Sequence, residues 1–150
     1  MIQRKQTIFL MLSVIVGLIC LCLPLATLQP KGMGADVVMT NLWIVQADGT
    51  KQFNVSPLFA LLLLTNSLQV FTIFDFRNRK RQIKLCTLAF LLLLGWCGVY
   101  AYFTFCAFEG YDLHRNITAI LPVVSIVLVL MARQSIAADE ELVRSADRIR

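Results

Sequence analysis

Few residues in this chain have types and spacing that could do chemistry. The five cysteines are Cys20, Cys22, Cys86, Cys97 and Cys106, none in a Cys-x-x-Cys pair, and all but the last lie within apolar runs. Quinone-linked disulfide-forming enzymes need cysteine pairs at an outer surface, and only Cys106 reaches one comfortably. Glu109, Asp112 and His114 gather in FEGYDLHRN. Polar turn residues occur between any two membrane spans, and a lone histidine is more often solvated than metal-bound, so no metal ligand is assigned. Nucleophile, base and metal constellations are all missing. The expectation is a protein that is not an enzyme, with no catalytic residue, no cofactor and no bound metal.

One polar stripe stands out inside apolar surroundings. At 100° per residue, Thr65, Gln69 and Thr72 fall within about 60° of one another on a helix, and Asn66 stands beside them near mid-depth. Gly17, Gly95, Gly98 and Ser125 come to similar depth when four apolar stretches are threaded back and forth. Small residues allow helices to approach closely, and amides or hydroxyls bond between them. Thr65, Asn66, Gln69, Thr72 and Ser125, together with Gly17, Gly95 and Gly98, are therefore expected at the centre of a helical bundle. Helix packing is the main reading, and a small-ligand cavity lined by Asn66 and Gln69 is the alternative. Asp75 comes only at the end of its stretch, and no ionisable residue lies mid-stretch, which argues against a proton-coupled pump.

The elements that must position these residues follow from composition. Of 150 residues, 58% are hydrophobic and only 15% charged, with a mean hydropathy of +0.73. Four stretches near or above the roughly 20 residues needed to cross a bilayer fill more than half of the chain. They run from about 7–28, 57–76, 83–105 and 115–132, leaving an outer loop at 29–56 and a tail at 133–150. The expected architecture is an all-α membrane protein: one domain, a four-helix transmembrane bundle with a small outer β-hairpin and a cytoplasmic amphipathic C-terminal helix. The first stretch is expected to be retained as a span, because it exceeds the core of a signal peptide and no Ala-x-Ala site follows. Ile19 before Cys20 also speaks against a lipoprotein site. Pro24 and Pro122 are expected as kinks inside the first and fourth spans.

Direction follows from the cations. Arg4 and Lys5, then Arg77, Arg79, Lys80, Arg81 and Lys84, then Arg133, Arg144, Arg148 and Arg150 make eleven on one side, against Lys31, Lys51 and Arg115 on the other. Positive-inside reasoning places both termini and the Arg77 to Lys84 loop in the cytoplasm. The net charge of +5 then reports topology, and no nucleic-acid partner is implied. Tyr100, Tyr102, Phe103, Phe105, Phe108 and Tyr111 form an interfacial aromatic belt.

In the outer loop, Asp48-Gly49 signals a two-residue turn between apolar flanks. Pairing Ala47 with Thr50 and Ile44 with Phe53 places Leu42, Ile44, Phe53 and Val55 on one face, resting on the membrane or on helix ends, with Trp43 at headgroup level. An irregular loop is the alternative. The loop FRNRKRQIK is what any inward-facing turn looks like, while lipid headgroup binding is the more specific reading. In the tail, Ile136, Leu142, Val143, Ala146 and Ile149 gather at helical spacing, and Glu140 and Arg144 are i to i+4. It lies on the membrane surface or the basic loop, or it docks a cytoplasmic partner. Membrane lipids and an unidentified membrane or cytoplasmic protein are the partners expected, with Arg77, Arg79, Lys80, Arg81, Lys84, Arg144 and Arg148 as candidate contacts.

The opening MIQRKQTIFL, the loop RKRQIKLC and the closing DEELVRSADRIR together resemble small four-span proteins of Bacteroidetes-type bacteria, grouped as a family of unknown function, domain of unknown function 4293. The similarity spans nearly the whole chain, the ending being its most distinctive part. It implies a multi-pass bacterial inner-membrane protein with four helices, and brings no activity, substrate or catalytic residue. The function read from the sequence is a noncatalytic accessory or scaffold protein that meets a partner or lipid through its cytoplasmic loop and tail. The alternative is a carrier or binding protein for a small uncharged or lipid-like solute in the bundle centre.

Overall fold

A computed structural model of the chain describes residues 3–30, 36–46, 48–75, 78–107 and 111–147. Four helices carry the fold: α1 (Gln3–Cys22), α2 (Ser56–Phe74), α3 (Arg79–Tyr102) and α4 (Leu121–Asp147). Each packs on its neighbours in sequence, and α1 closes the ring against α4. All four are long and apolar enough to cross a membrane.

Their buried positions share one rhythm. On α1 these are Gln6, Leu10, Ser13, Gly17 and Cys20; on α2 Leu58, Leu62, Thr65, Gln69 and Thr72, with Asn66 buried beside them; on α3 Gln82, Cys86, Ala89, Leu93 and Trp96; on α4 Ser125, Val129, Ala132, Ile136 and Asp139, with Pro122 and Leu128 also buried. The steps alternate between three and four residues, which keeps one seam facing the partners and suits left-handed bundle packing. The opposite faces are apolar as well: Ile8, Ile15, Leu64, Phe71, Leu91 and Val127 are all exposed. Such a surface suits lipid rather than water.

Proline sets the ends of two helices. The α region is disfavoured for a residue preceding proline, so α1 ends at Cys22 and its last turn closes with Leu23 N–H donating to Ile19 O at 3.1 Å. Pro24 thus follows the helix instead of kinking it, and the first span is shorter than the expected 7–28. Pro122 is the second residue of α4, after a 3₁₀ turn at Ile117–Ile120, where a missing N–H costs no helical bond. It opens the helix and does not bend it. The fourth helix then runs on to Asp147, so the expected separate tail helix is a continuation of the fourth span. Along it Ile136 is buried, whereas Leu142 and Val143 are exposed, and Ile149 lies outside the described residues.

The chain beyond Pro24 becomes a strand. β1 (Ala26–Pro30), β2 (Val37–Met39), β3 (Ile44–Val45), β4 (Lys51–Gln52) and β5 (Tyr111–Arg115) form an antiparallel sheet in the order β4-β3-β2-β1-β5. Instead of a lone hairpin, one end of the bundle therefore carries a five-stranded sheet that also recruits the connection between α3 and α4. Ala26 pairs with Met39 and Met39 with Ile44; this row and Leu28 are buried in the same apolar cluster as Leu58, Leu62 and Leu93 of the helices.

The hairpin exists, with its register one residue from the expected one. Ile44 faces Gln52 and Val45 faces Lys51, while Gln46 N–H donates to Thr50 O at 3.0 Å and Gly49 N–H to Gln46 O at 2.9 Å. A two-residue type I′ turn would need Asp48 as well as Gly49 at positive φ. Among the described residues Gly49, at φ +75°, is alone in that region, so the loop has three residues and a glycine bulge. Ala47 of the expected pairing lies outside the described residues. A slip of one residue exchanges faces: Ile44 is buried, Phe53 is exposed, and Phe53 packs edge-on to Trp43 at 6.2 Å with Lys51 Nζ 4.4 Å from the same indole.

Candidate functional site

The bundle centre is polar and closed by contact. Ser13 of α1 and Ser125 of α4 each place a hydroxyl 3.5 Å from the other's carbonyl. One turn along α1, Gly17 faces Asn66, so close that a Cβ on Gly17 would stand 2.2 Å from Asn66 Oδ1. Thr65 and Thr72 donate to the carbonyls of Leu61 and Leu68, both at 2.7 Å, satisfying their hydroxyls within α2. Asn66 Nδ2 and both amide atoms of Gln69 are buried without hydrogen-bond partners. Thr65, Asn66, Gln69, Thr72 and Ser125 are thus all buried. Gly95 and Gly98 face outward, with open space where a Cβ would stand, which corrects their expected place at the centre.

At the sheet end, Asn41 reaches into the bundle. Its side chain is fully buried; Nδ2 donates to Cys20 O at 2.6 Å, and Oδ1 accepts from Trp96 Nε1 at 3.2 Å. It satisfies one of the carbonyls left over at the end of α1 and the indole N–H of α3 together. Nothing in the loop sequence marks this residue; its role depends on where the sheet sets it.

At the opposite end the basic loop is partly consumed by the fold. Arg81 forms a two-pronged pair with Asp75, Nε to Oδ2 and Nη2 to Oδ1, both at 2.5 Å. Arg79 donates to the carbonyl of Asp139 at 2.9 Å. Gln6 Nε2 donates to the buried Asp139 carboxylate at 2.5 Å, joining α1 to α4, and Gln82 caps Thr72 O at 3.0 Å. Gln6, Gln82 and Asp139 were missed as candidates, although each continues the three-four rhythm of its helix. Lys80 and Lys84 are exposed. Arg77 and Arg148 lie outside the described residues, and Arg144 sits in the last turns of α4. Asn78, Arg79, Lys80, Glu140 and Val143 line a shallow groove of about 450 Å³ where the loop meets α4. Neither Glu109 nor Phe108 falls among the described residues, and among those that do no group of three or more His, Cys, Asp or Glu side chains could hold a metal ion.

The hydrogen-bonded pair with Arg81 holds the Asp75 carboxyl below its usual pKa. A carboxylate with a depressed pKa stabilises the fold above its unfolded value and loses that contribution as pH falls through the folded one. Arg81→Gln is expected to lower the melting temperature at neutral pH, and the gap from the parent chain should close once pH drops well below about 4. Arg81 is 58% exposed, so solvent screening keeps the gap small. Thermal melts in detergent at several pH values would read it; a gap independent of pH would remove the ion pair as its cause.

The family model described as Domain of unknown function (DUF4293) matches residues 2–149. The chain belongs to this family. The DUF4293 match spans all four helices and the sheet, and with it the centre, the Asn41 contact and the loop end. No curated protein matches the chain.

Proposed function

We propose that this protein is a noncatalytic accessory or scaffold protein of the bacterial inner membrane, with both termini and the loop end of the bundle in the cytoplasm. The carrying observation is the groove at that end. It is lined by Arg79 and Lys80 from one side and by Glu140 and Val143 from the other, so it offers both charge signs around an apolar position. A pure lipid headgroup site would be cationic throughout; mixed charge suits a protein segment. Arg81 and Arg79 are tied to Asp75 and to the carbonyl of Asp139, which leaves Lys80, Lys84 and Glu140 as the groups that face a partner. A photo-crosslinking residue at Val143 in intact cells should give one discrete adduct, which Lys80→Glu and Glu140→Lys each weaken severalfold. Adducts insensitive to either reversal would count against this reading.

A second reading, a carrier or binding protein for a small uncharged or lipid-like solute, draws on the unpartnered amides of Asn66 and Gln69. Buried polar groups without partners are few in native proteins. Gln69→Leu should abolish the phenotype of such a carrier and leave folding intact, whereas a scaffold would tolerate the change.

A further inference from the structure

At the sheet end, a groove lies where the end of α3 meets the start of α4. The last turn of α3 passes into a π-helical segment, Phe103–Ala107, and α4 is preceded by the 3₁₀ turn at Ile117–Ile120. The groove measures about 470 Å³, within the size range of small-molecule sites. The stacked rings of Trp96 and Tyr100, with centroids 5.3 Å apart, line it, as do Phe105, Ile120 and Val123. Ile117 and Phe105 are 83% and 69% exposed, so the apolar lining continues onto the surface between the helices.

Among the described residues one charged side chain lines this groove, Arg115. Its guanidinium stands 5.5 Å from the Phe105 ring, and among the described residues it makes no ion pair. Among the described residues no carboxylate lines the groove. A cation held over an apolar slot beside the helix-end aromatics matches a molecule with an anionic head and a hydrocarbon tail. A soluble peptide would meet the same cation but would have to bring its own apolar side chains into a slot that opens toward lipid.

We propose that this groove binds an anionic phospholipid from the leaflet at the sheet end, with one acyl chain against Trp96 and Val123 and the phosphate on Arg115. This site is separate from the loop-end groove, and either can fail without the other. Arg115 pairs through its backbone with Ala26, so changing the side chain leaves the sheet in place. The test uses the full chain carrying Trp43→Phe, which leaves Trp96 as the tryptophan fluorophore, reconstituted in phosphatidylcholine vesicles. Brominated phosphatidylglycerol should quench Trp96 with an apparent affinity about fivefold above that of brominated phosphatidylcholine, a difference of about 1 kcal/mol. Arg115→Gln should bring that ratio to about one, and Arg115→Lys should retain part of it. Equal quenching by the two lipids in the parent chain, or a preference that survives Arg115→Gln, would overturn the proposal. Failure of both lipids to quench would overturn it too, by showing that protein covers the groove.

Discussion

Asn41→Ala is expected to destabilise the protein by about 2–4 kcal/mol, because it orphans a buried acceptor and a buried donor together, each worth about 1–3 kcal/mol when left unmade. The lost contacts are the 2.6 Å bond to Cys20 O and the 3.2 Å bond from Trp96 Nε1. Asn41→Asp should be worse: it keeps an acceptor for Trp96 but presents a second oxygen to the Cys20 carbonyl and buries a charge. Trp96→Phe removes the indole donor and part of the ring, leaving the bond to Cys20 in place. The expected order of melting temperatures in detergent is parent, then Trp96→Phe, then Asn41→Ala, then Asn41→Asp. Asn41→Ala should also red-shift tryptophan emission, since Trp96 loses its partner and the sheet loosens from the helix ends. An Asn41→Ala chain as stable as the parent would show that the sheet rests on the bundle without being fastened to it.

The second large effect belongs to Gly17. A methyl group there would stand 2.2 Å from Asn66 Oδ1 and 2.9 Å from its Cγ, closer than any side chain can remain. Gly17→Ala should cost about 1–3 kcal/mol by overpacking, and Gly17→Val should cost more. Asn66→Ala made alone should be mild, because the Nδ2 it removes has no hydrogen-bond partner. Made together with Gly17→Ala it should restore most of the loss, a favourable coupling above 1 kcal/mol in a double-mutant cycle. Gly95→Ala and Gly98→Ala provide the contrast: their faces are open, so the helix propensity of alanine should stabilise each by up to about 1 kcal/mol. Helicity and melting temperature measured across these six variants would check the pattern. Strict additivity between positions 17 and 66 would contradict the packing described.

The polar stripe of α2 was legible because Thr65, Asn66, Gln69 and Thr72 differ so sharply from their neighbours. Gly17 and Ser125 were legible as small residues at matching depth. The same reasoning failed at Gly95 and Gly98, because small size alone does not say which face of a helix meets a partner. The matching three-four rhythm of Gln6, Ser13, Gly17 and Cys20, and of Gln82, Cys86, Ala89 and Trp96, was the signal that could have resolved this. It is hidden from a hydrophobicity count, since the exposed side of each helix is as apolar as the buried one. The basic loop was legible as a cluster of charge, but its division between internal bonds at Arg79 and Arg81 and the exposed Lys80 and Lys84 was not.

By itself the sequence determined what is local or compositional: four apolar helices, their number and approximate extent, the hairpin at Gly49, and the family resemblance that the matched model establishes. Those features depend on runs of side chains and on the φ limits of proline and glycine, which act within a few residues. Only the tertiary structure decided that ATLQP becomes a strand, that YDLHR pairs with it, and that Asn41 ties the resulting sheet to α1 and α3. These depend on backbone donors and acceptors finding partners far along the chain, Ala26 with Arg115 and Cys20 with Asn41. Such pairings leave no periodic trace in the residues that make them.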